Sequence, residues 1–190
     1  GSQTATISRN GDLVHRMYVE LTPSEIFTTD ADGGETDHNC SAYLSNTLLK
    51  EIECEIGGQK IDKHYNHWLN TYMELTESNP SGILGAYQVN GSAPTTAKTL
   101  FQSMSYNHQA QTNLNTWAAA APTTAFVPLR FWFCRNPGLA LPLIALQYHE
   151  VKIKLTYCSV DDLFKDNDLT SVSVTPSFAN LKLWADYIYL

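Results

Sequence analysis

Charge is the first scarcity. Charged residues make up 16% of the 190-residue chain, against about 25% in an average soluble domain. Much of the polar surface must therefore come from Ser, Thr, Asn and Gln, which suits a β protein with long polar loops and argues against solvated, charged helices. Positive charge is scarcer still: 12 Lys and Arg face 19 Asp and Glu, a net of −7. Such a chain lacks the positive footprint that phosphate binding needs, so neither direct nucleic-acid contact nor attraction to an anionic membrane is expected. No apolar run approaches the ~20 residues of a membrane-spanning helix, and membrane insertion is not expected.

Cysteine is sparse as well. Cys40, Cys54, Cys134 and Cys158 are far apart and never form a Cys-x-x-Cys pair, so buried free thiols are favoured over a disulfide framework. Catalytic motifs are missing. There is no Gly-x-Ser-x-Gly elbow, no phosphate-cradling glycine loop and no His-Glu-x-x-His, since position 153 is Ile. No catalytic residue, metal ligand or cofactor site is assigned, and an enzyme is not expected. Internal repeats and a βαβ rhythm are absent too, which excludes solenoids and parallel-sheet folds.

What is present is a β pattern. Hydrophobic residues reach 43%, and 190 residues suffice for one domain with a real core. Residues 4–8 and 12–21 read as strands joined at Asn10-Gly11, a hairpin signal. On the second, Leu13, His15, Met17, Val19 and Leu21 share a face. Residues 49–56 alternate most cleanly, with Ile52, Cys54 and Ile56 opposite Glu51, Glu53 and Glu55. Gly57-Gly58 then turns the chain into a second hairpin. One helix is predicted, with a stripe of Tyr65, Trp68, Leu69 and Tyr72, Asp62 as N-cap and a stop at Ser78-Asn79-Pro80. Residues 77–124 form a long polar loop in which 83–89 and 99–106 are candidate short strands. Residues 126–133 read as a strand with Val127, Leu129, Phe131 and Phe133 on one face. Arg135 to Gly138 is a turn, and Pro142 excludes a central strand at 139–143. Along 145–157, His149, Val151, Ile153, Leu155 and Tyr157 are expected inside. Residues 181–190, apolar on both faces, read as an inner or doubly covered strand. Seven or eight strands, one helix and long loops make an antiparallel β-sandwich of the jelly-roll kind.

Several clusters resemble sites without completing one. His64 and His67 beside Asp62 lack a third and fourth metal ligand, so a capped helix with ordinary histidines is favoured. His149-Glu150 is no dyad, because neighbours on a strand point to opposite faces. The acidic runs Asp161-Asp162, Asp166-Asn167-Asp168 and 30–37 lack the pattern of a calcium loop. Arg9, Arg16, Arg130 and Arg135 are candidates for inter-strand or inter-subunit ion pairs. Trp68, Trp132 and Trp184 are expected in core or interface packing and not as ligand platforms.

Four blocks carry a family resemblance: ATISRNGDLVHRMYVEL from Ala5, EIGGQKIDKHYNHWLNTYMELT from Glu55, FVPLRFWFCRNPGLALPLIALQYHEVKIKL from Phe126 and LWADYIYL from Leu183. Together they cover about half the chain, and the third is far longer than a short motif. They resemble the major capsid proteins of nucleocytoplasmic large DNA viruses. The resemblance implies a subunit of two tandem jelly rolls, a homotrimer of pseudo-hexagonal outline, and an icosahedral shell built with neighbouring capsomers and minor capsid proteins. Residues 1–190 would be the first jelly roll, lacking the family's N-terminal arm and first strand, with the second jelly roll of the same polypeptide absent. The virion is the implied location and the host cytoplasm the implied place of assembly. Asn39 and Asn90 head Asn-x-Ser sequons, but cytoplasmic assembly would leave them unmodified by the secretory route. The alternative is a carbohydrate-binding jelly roll using Trp117 and the acidic loops.

Overall fold

Alternation of apolar and charged side chains sets where the sheets form. In the computed structural model, which describes residues 1–22, 27–28, 43–78, 100–105, 107, 124–163, 175–176 and 181–190, β4 (Glu51–Ile56) and β5 (Gln59–Tyr65) form the expected hairpin. Gly57 and Gly58 make the turn at φ 58° and 82°, left-handed backbone that glycine adopts without penalty. β4 also pairs with β8 (Val151–Thr156), and β8 with β1 (Ser2–Thr6). These four strands make one antiparallel sheet in the order β1-β8-β4-β5. Its inner face buries Ile52, Cys54, Ile153 and Leu155.

The facing sheet is built on β2 (Leu13–Leu21). β10 (Lys182–Ile188) lies along one side of it; β6 (Ala125–Pro128) and the two-residue β7 (Leu141–Pro142) share the other. β3 (Phe27–Thr28) and β9 (Thr175–Pro176) pair separately. Met17, Val19, Leu21, Val127 and Leu129 meet the first sheet's apolar face in a single core. The antiparallel sandwich is thus as the sequence predicts.

Several local expectations are corrected. Asn10-Gly11 closes no hairpin, because β1 and β2 lie in different sheets. The link between them leaves one ladder at Ile7 N–H to Val151 O, 2.9 Å, and joins the other at Asp12 N–H to Ile188 O, 3.1 Å. The switch places β2 where Val14, Met17, Val19 and Leu21 enter the core, while β1 stays largely exposed. The helix α2 (Asn66–Thr76) starts late, because β5 stays paired with β4 up to Tyr65 opposite Glu51. Asp62 is therefore a strand residue and caps nothing; Tyr65 takes the N-cap position without a side-chain bond. Leu69 and Met73 are the buried pair on α2, while Tyr65 and Trp68 face outward.

Short helices are more numerous than predicted: α1 (Leu44–Leu48), α3 (Leu100–Ser105), α4 (Trp132–Arg135) and α5 (Val160–Leu163). α3 replaces the strand expected at 99–106, and residues 83–89 lie outside the described residues. The strand expected over 126–133 ends at Pro128, yet Leu129, Phe131 and Phe133 stay buried, so the inward alternation outlasts the ladder. His149 is exposed rather than inward. Residues 143–149 turn back on themselves, with Leu146 N–H on Leu143 O and His149 N–H on Leu146 O, so β8 begins only at Val151. The His149 ring lies over the Gly57 turn. Finally, β10 is an edge strand, not a doubly covered one.

Candidate functional site

The candidate surfaces among the described residues are sheet margins and faces. β1 and β10 are edge strands of facing sheets, and an apolar groove of about 340 Å³ separates them. Thr4, Ala5, Ile153, Leu155, Leu181 and Leu183 line it. Among the described residues β10 pairs with no strand on its outer side, and an edge beside an apolar trough is the combination that accepts another strand. Along the same edge Trp184 is 52% exposed and the neighbouring Tyr189 71%. Glu20 holds this margin from β2, accepting from Lys182 Nζ at 2.9 Å and from the Trp184 indole. Those two hydrogen bonds, the lysine's first, keep its carboxyl below the usual range.

The outer face of the four-stranded sheet is a charge ladder. Glu53 stands opposite Lys63 on one side and Lys154 on the other, and Glu55 opposite Lys60 and Lys152. Lys60 reaches Glu53 at 2.6 Å, and Lys63 reaches Glu51 at 2.8 Å and Glu53 at 3.3 Å. The hydrogen bond from Lys60 lowers the Glu53 pKa, with Lys63 adding to it; Glu51 foremost raises that of Lys63. Columns of opposite sign on adjacent strands neutralise one another.

The weighed clusters separate in space. His64 is buried on β5, its ring 5.0 Å from that of Phe131 and its Nε2 3.7 Å from Asp62 Oδ2, with no partner for Nδ1 among the described residues. Burial lowers its pKa, and Arg135 lowers it further against the pull of Asp62. His67 is exposed on α2 and stacks on Tyr65. No group of three metal-ligating side chains occurs among the described residues. Asp161 and Asp162 belong to α5. Asn39, Asn90, Cys40, Trp117 and the acidic runs 30–37 and 166–168 lie outside the described residues. Cys54, Cys134 and Cys158 are free thiols; burial raises all three, Cys54 to about 12 and Cys134 to about 11, which makes them poor nucleophiles.

Two of the flagged arginines hold elements in place. Arg9 Nη2 donates to Leu146 O at 2.8 Å, and Arg130 pairs with Glu77. A buried amide cluster was not foreseen. Asn46 and Asn107 bond reciprocally, Asn46 N–H to Asn107 Oδ1 and Asn107 Nδ2 to Asn46 Oδ1, both at 3.0 Å, and Asn46 Nδ2 reaches Asn70 Oδ1 at 2.9 Å. It ties α1, α2 and the chain after α3 together. Sequence carries little signal for it, because asparagine in polar stretches reads as loop.

The comparisons converge on one family. The family described as "Major capsid protein N-terminus" matches residues 1–190. The major capsid protein of Pyramimonas orientalis virus is 38% identical over 187 residues, covering 98% of this chain and 39% of that protein. That of Paramecium bursaria Chlorella virus 1 is 36% identical over 192 residues, covering 100% of this chain and 36% of the relative. Among solved structures, a quasi-atomic structure of the PBCV-1 virus capsid matches with a TM-score of 0.61 at 33% identity, covering 100% of this chain and 38% of the other. The chain thus spans roughly two-fifths of the length of these relatives, and it shares their jelly-roll fold. It belongs to the major capsid protein N-terminus family of large DNA viruses.

Proposed function

We propose that this chain is a structural part of a viral capsid, the first jelly roll of a major capsid protein whose work is done by interfaces and not by catalysis. The observation that carries the proposal is the agreement along the whole chain with a protein solved within a capsid shell. A rigid sandwich with an apolar margin and no assembled catalytic group among the described residues suits that role. In this reading a second jelly roll completes the subunit, three subunits form a pseudo-hexagonal trimer, and trimers meet one another and minor capsid proteins in an icosahedral shell. The virion is its location and the host cytoplasm its place of assembly. The test is the mass and outline of the full-length product. Trimers of pseudo-hexagonal outline in electron micrographs are expected; a stable monomer that binds a sugar would favour the carbohydrate-binding alternative.

We also propose that the sandwich takes up one more strand at the outer edge of β10, with alternate side chains filling the groove against β1. The open edge and the apolar trough support this. Residues 1–190 alone should then be poorly soluble, and in a longer polypeptide the β10 amides that do not bond to β2 should become protected from hydrogen exchange. A monomer that stays soluble at high concentration, with the same β10 exchange in both forms, would refute it.

A further inference from the structure

The outer face of the sheet built on β2 carries a basic pocket of about 410 Å³, apart from the groove and the ladder. Arg16, Arg130 and Arg135 line it together with Tyr72, Glu77 and Leu129. Arg130 and Arg135 both set their guanidinium groups over the Tyr72 ring, at 5.4 and 5.3 Å from its centroid, an arrangement favoured by the ring's negative face. Arg135 Nε also donates to the Arg130 carbonyl at 3.3 Å. Leu129 N–H bonds to Met17 O, so the neighbouring Arg16 and Arg130 approach one another at the rim of the same pocket. Glu77 neutralises only Arg130; Arg16 and Arg135 meet no carboxylate among the described residues. Three cations and one anion leave the pocket at +2, so a chain of −7 carries −9 elsewhere.

We propose that this pocket receives a carboxylate side chain from a second copy of the chain, and that Arg16 and Arg135 complete a contact between subunits. The inference rests on the shell reading above. A guanidinium fork takes a carboxylate through two parallel hydrogen bonds, and identical subunits supply a large surplus of carboxylates. A phosphate polymer would instead meet the repulsion of the remaining negative charge.

The test uses the full-length polypeptide with Arg16→Glu and Arg135→Glu combined, followed by sedimentation equilibrium at low and high salt. The association constant should fall by at least about tenfold and lose much of its salt dependence. N-acetyl-aspartate amide should compete with wild-type association more strongly than inorganic phosphate at equal ionic strength. Should the reversal unfold the protein, Arg16→Gln with Arg135→Gln should still weaken association. Wild type that assembles while the variants assemble equally well overturns the inference alone, as does stronger competition by phosphate. Wild type that never associates defeats the shell reading and the inference with it.

Discussion

In the four-stranded sheet β8 and β4 each have a partner on both sides, and the outward face is closed by its own lysines and glutamates. In the facing sheet only β2 is flanked on both sides; one flank is shared by the short β6 and the two-residue β7, and the other, β10, has an open outer edge. Both sheets supply the same core and both end in edge strands, yet the first balances its outward charges within itself, while the second exposes aromatic rings at its edge and arginines that meet no carboxylate among the described residues. A sheet whose outward charges are internally satisfied makes a wall. A sheet left incomplete at its margin is where partners gain most by binding, because their strands and carboxylates replace water on groups that folding alone leaves unpaired.

The sharpest way to break this contrast is to make the same kind of truncation in each sheet. Ile153→Ala, at the fully buried centre of β8, should cost about 2–5 kcal/mol in urea unfolding. Leu183→Ala on half-buried β10 should cost distinctly less, and the gap should narrow in a longer polypeptide if a strand covers β10. Equal costs in the isolated chain would erase the distinction. Next in size is the turn of the closed sheet. Gly58→Ala forces a side chain into left-handed backbone, a penalty of about 1–2 kcal/mol. Gly57→Ala should lose more, since its new Cβ would lie 2.6 Å from His149 Nδ1; thermal unfolding of the two variants ranks them.

A smaller effect concerns pH. Burial lowers the His64 pKa in the folded chain, so the unfolded chain binds its proton first as pH falls. Stability should therefore decline from about pH 6.5, the unfolded value, down to the folded value, and His64→Phe should flatten that slope in urea titrations run across the window. The smallest effect is expected at the ladder. Glu53 has a lowered pKa, so its contribution is present above the ordinary carboxylate pKa and fades as pH falls through the folded value. Glu53→Gln should remove a slight stabilisation that molar salt also removes.

Legibility in the sequence followed the range of the forces involved. The β4–β5 hairpin was readable because alternation and a glycine pair are local signals. The start of α2 was misplaced because the pull of β4 on residues up to Tyr65 outweighs a capping aspartate. His149 was misassigned for a related reason: the alternating pattern continued back through it, but the turns at 143–149 ended the strand first. Of the candidate surface, the arginines were legible one by one, while the gathering of Arg16, Arg130 and Arg135 in one pocket with Tyr72 and Glu77 was invisible, since 16, 72–77 and 130–135 are three distant stretches of chain.

The sequence by itself determined the fold class, the inward faces of the main strands and the family, because side-chain alternation and long matching blocks are written along the chain. Only the tertiary structure decided which strands pair, since β1 and β2 are neighbours in sequence but partners of opposite sheets. It likewise decided that β10, apolar on both sides and inner by its pattern, stands at an open edge. Hydrophobicity records how much a strand wants to be covered; only the arrangement of the other strands shows whether anything in the chain covers it.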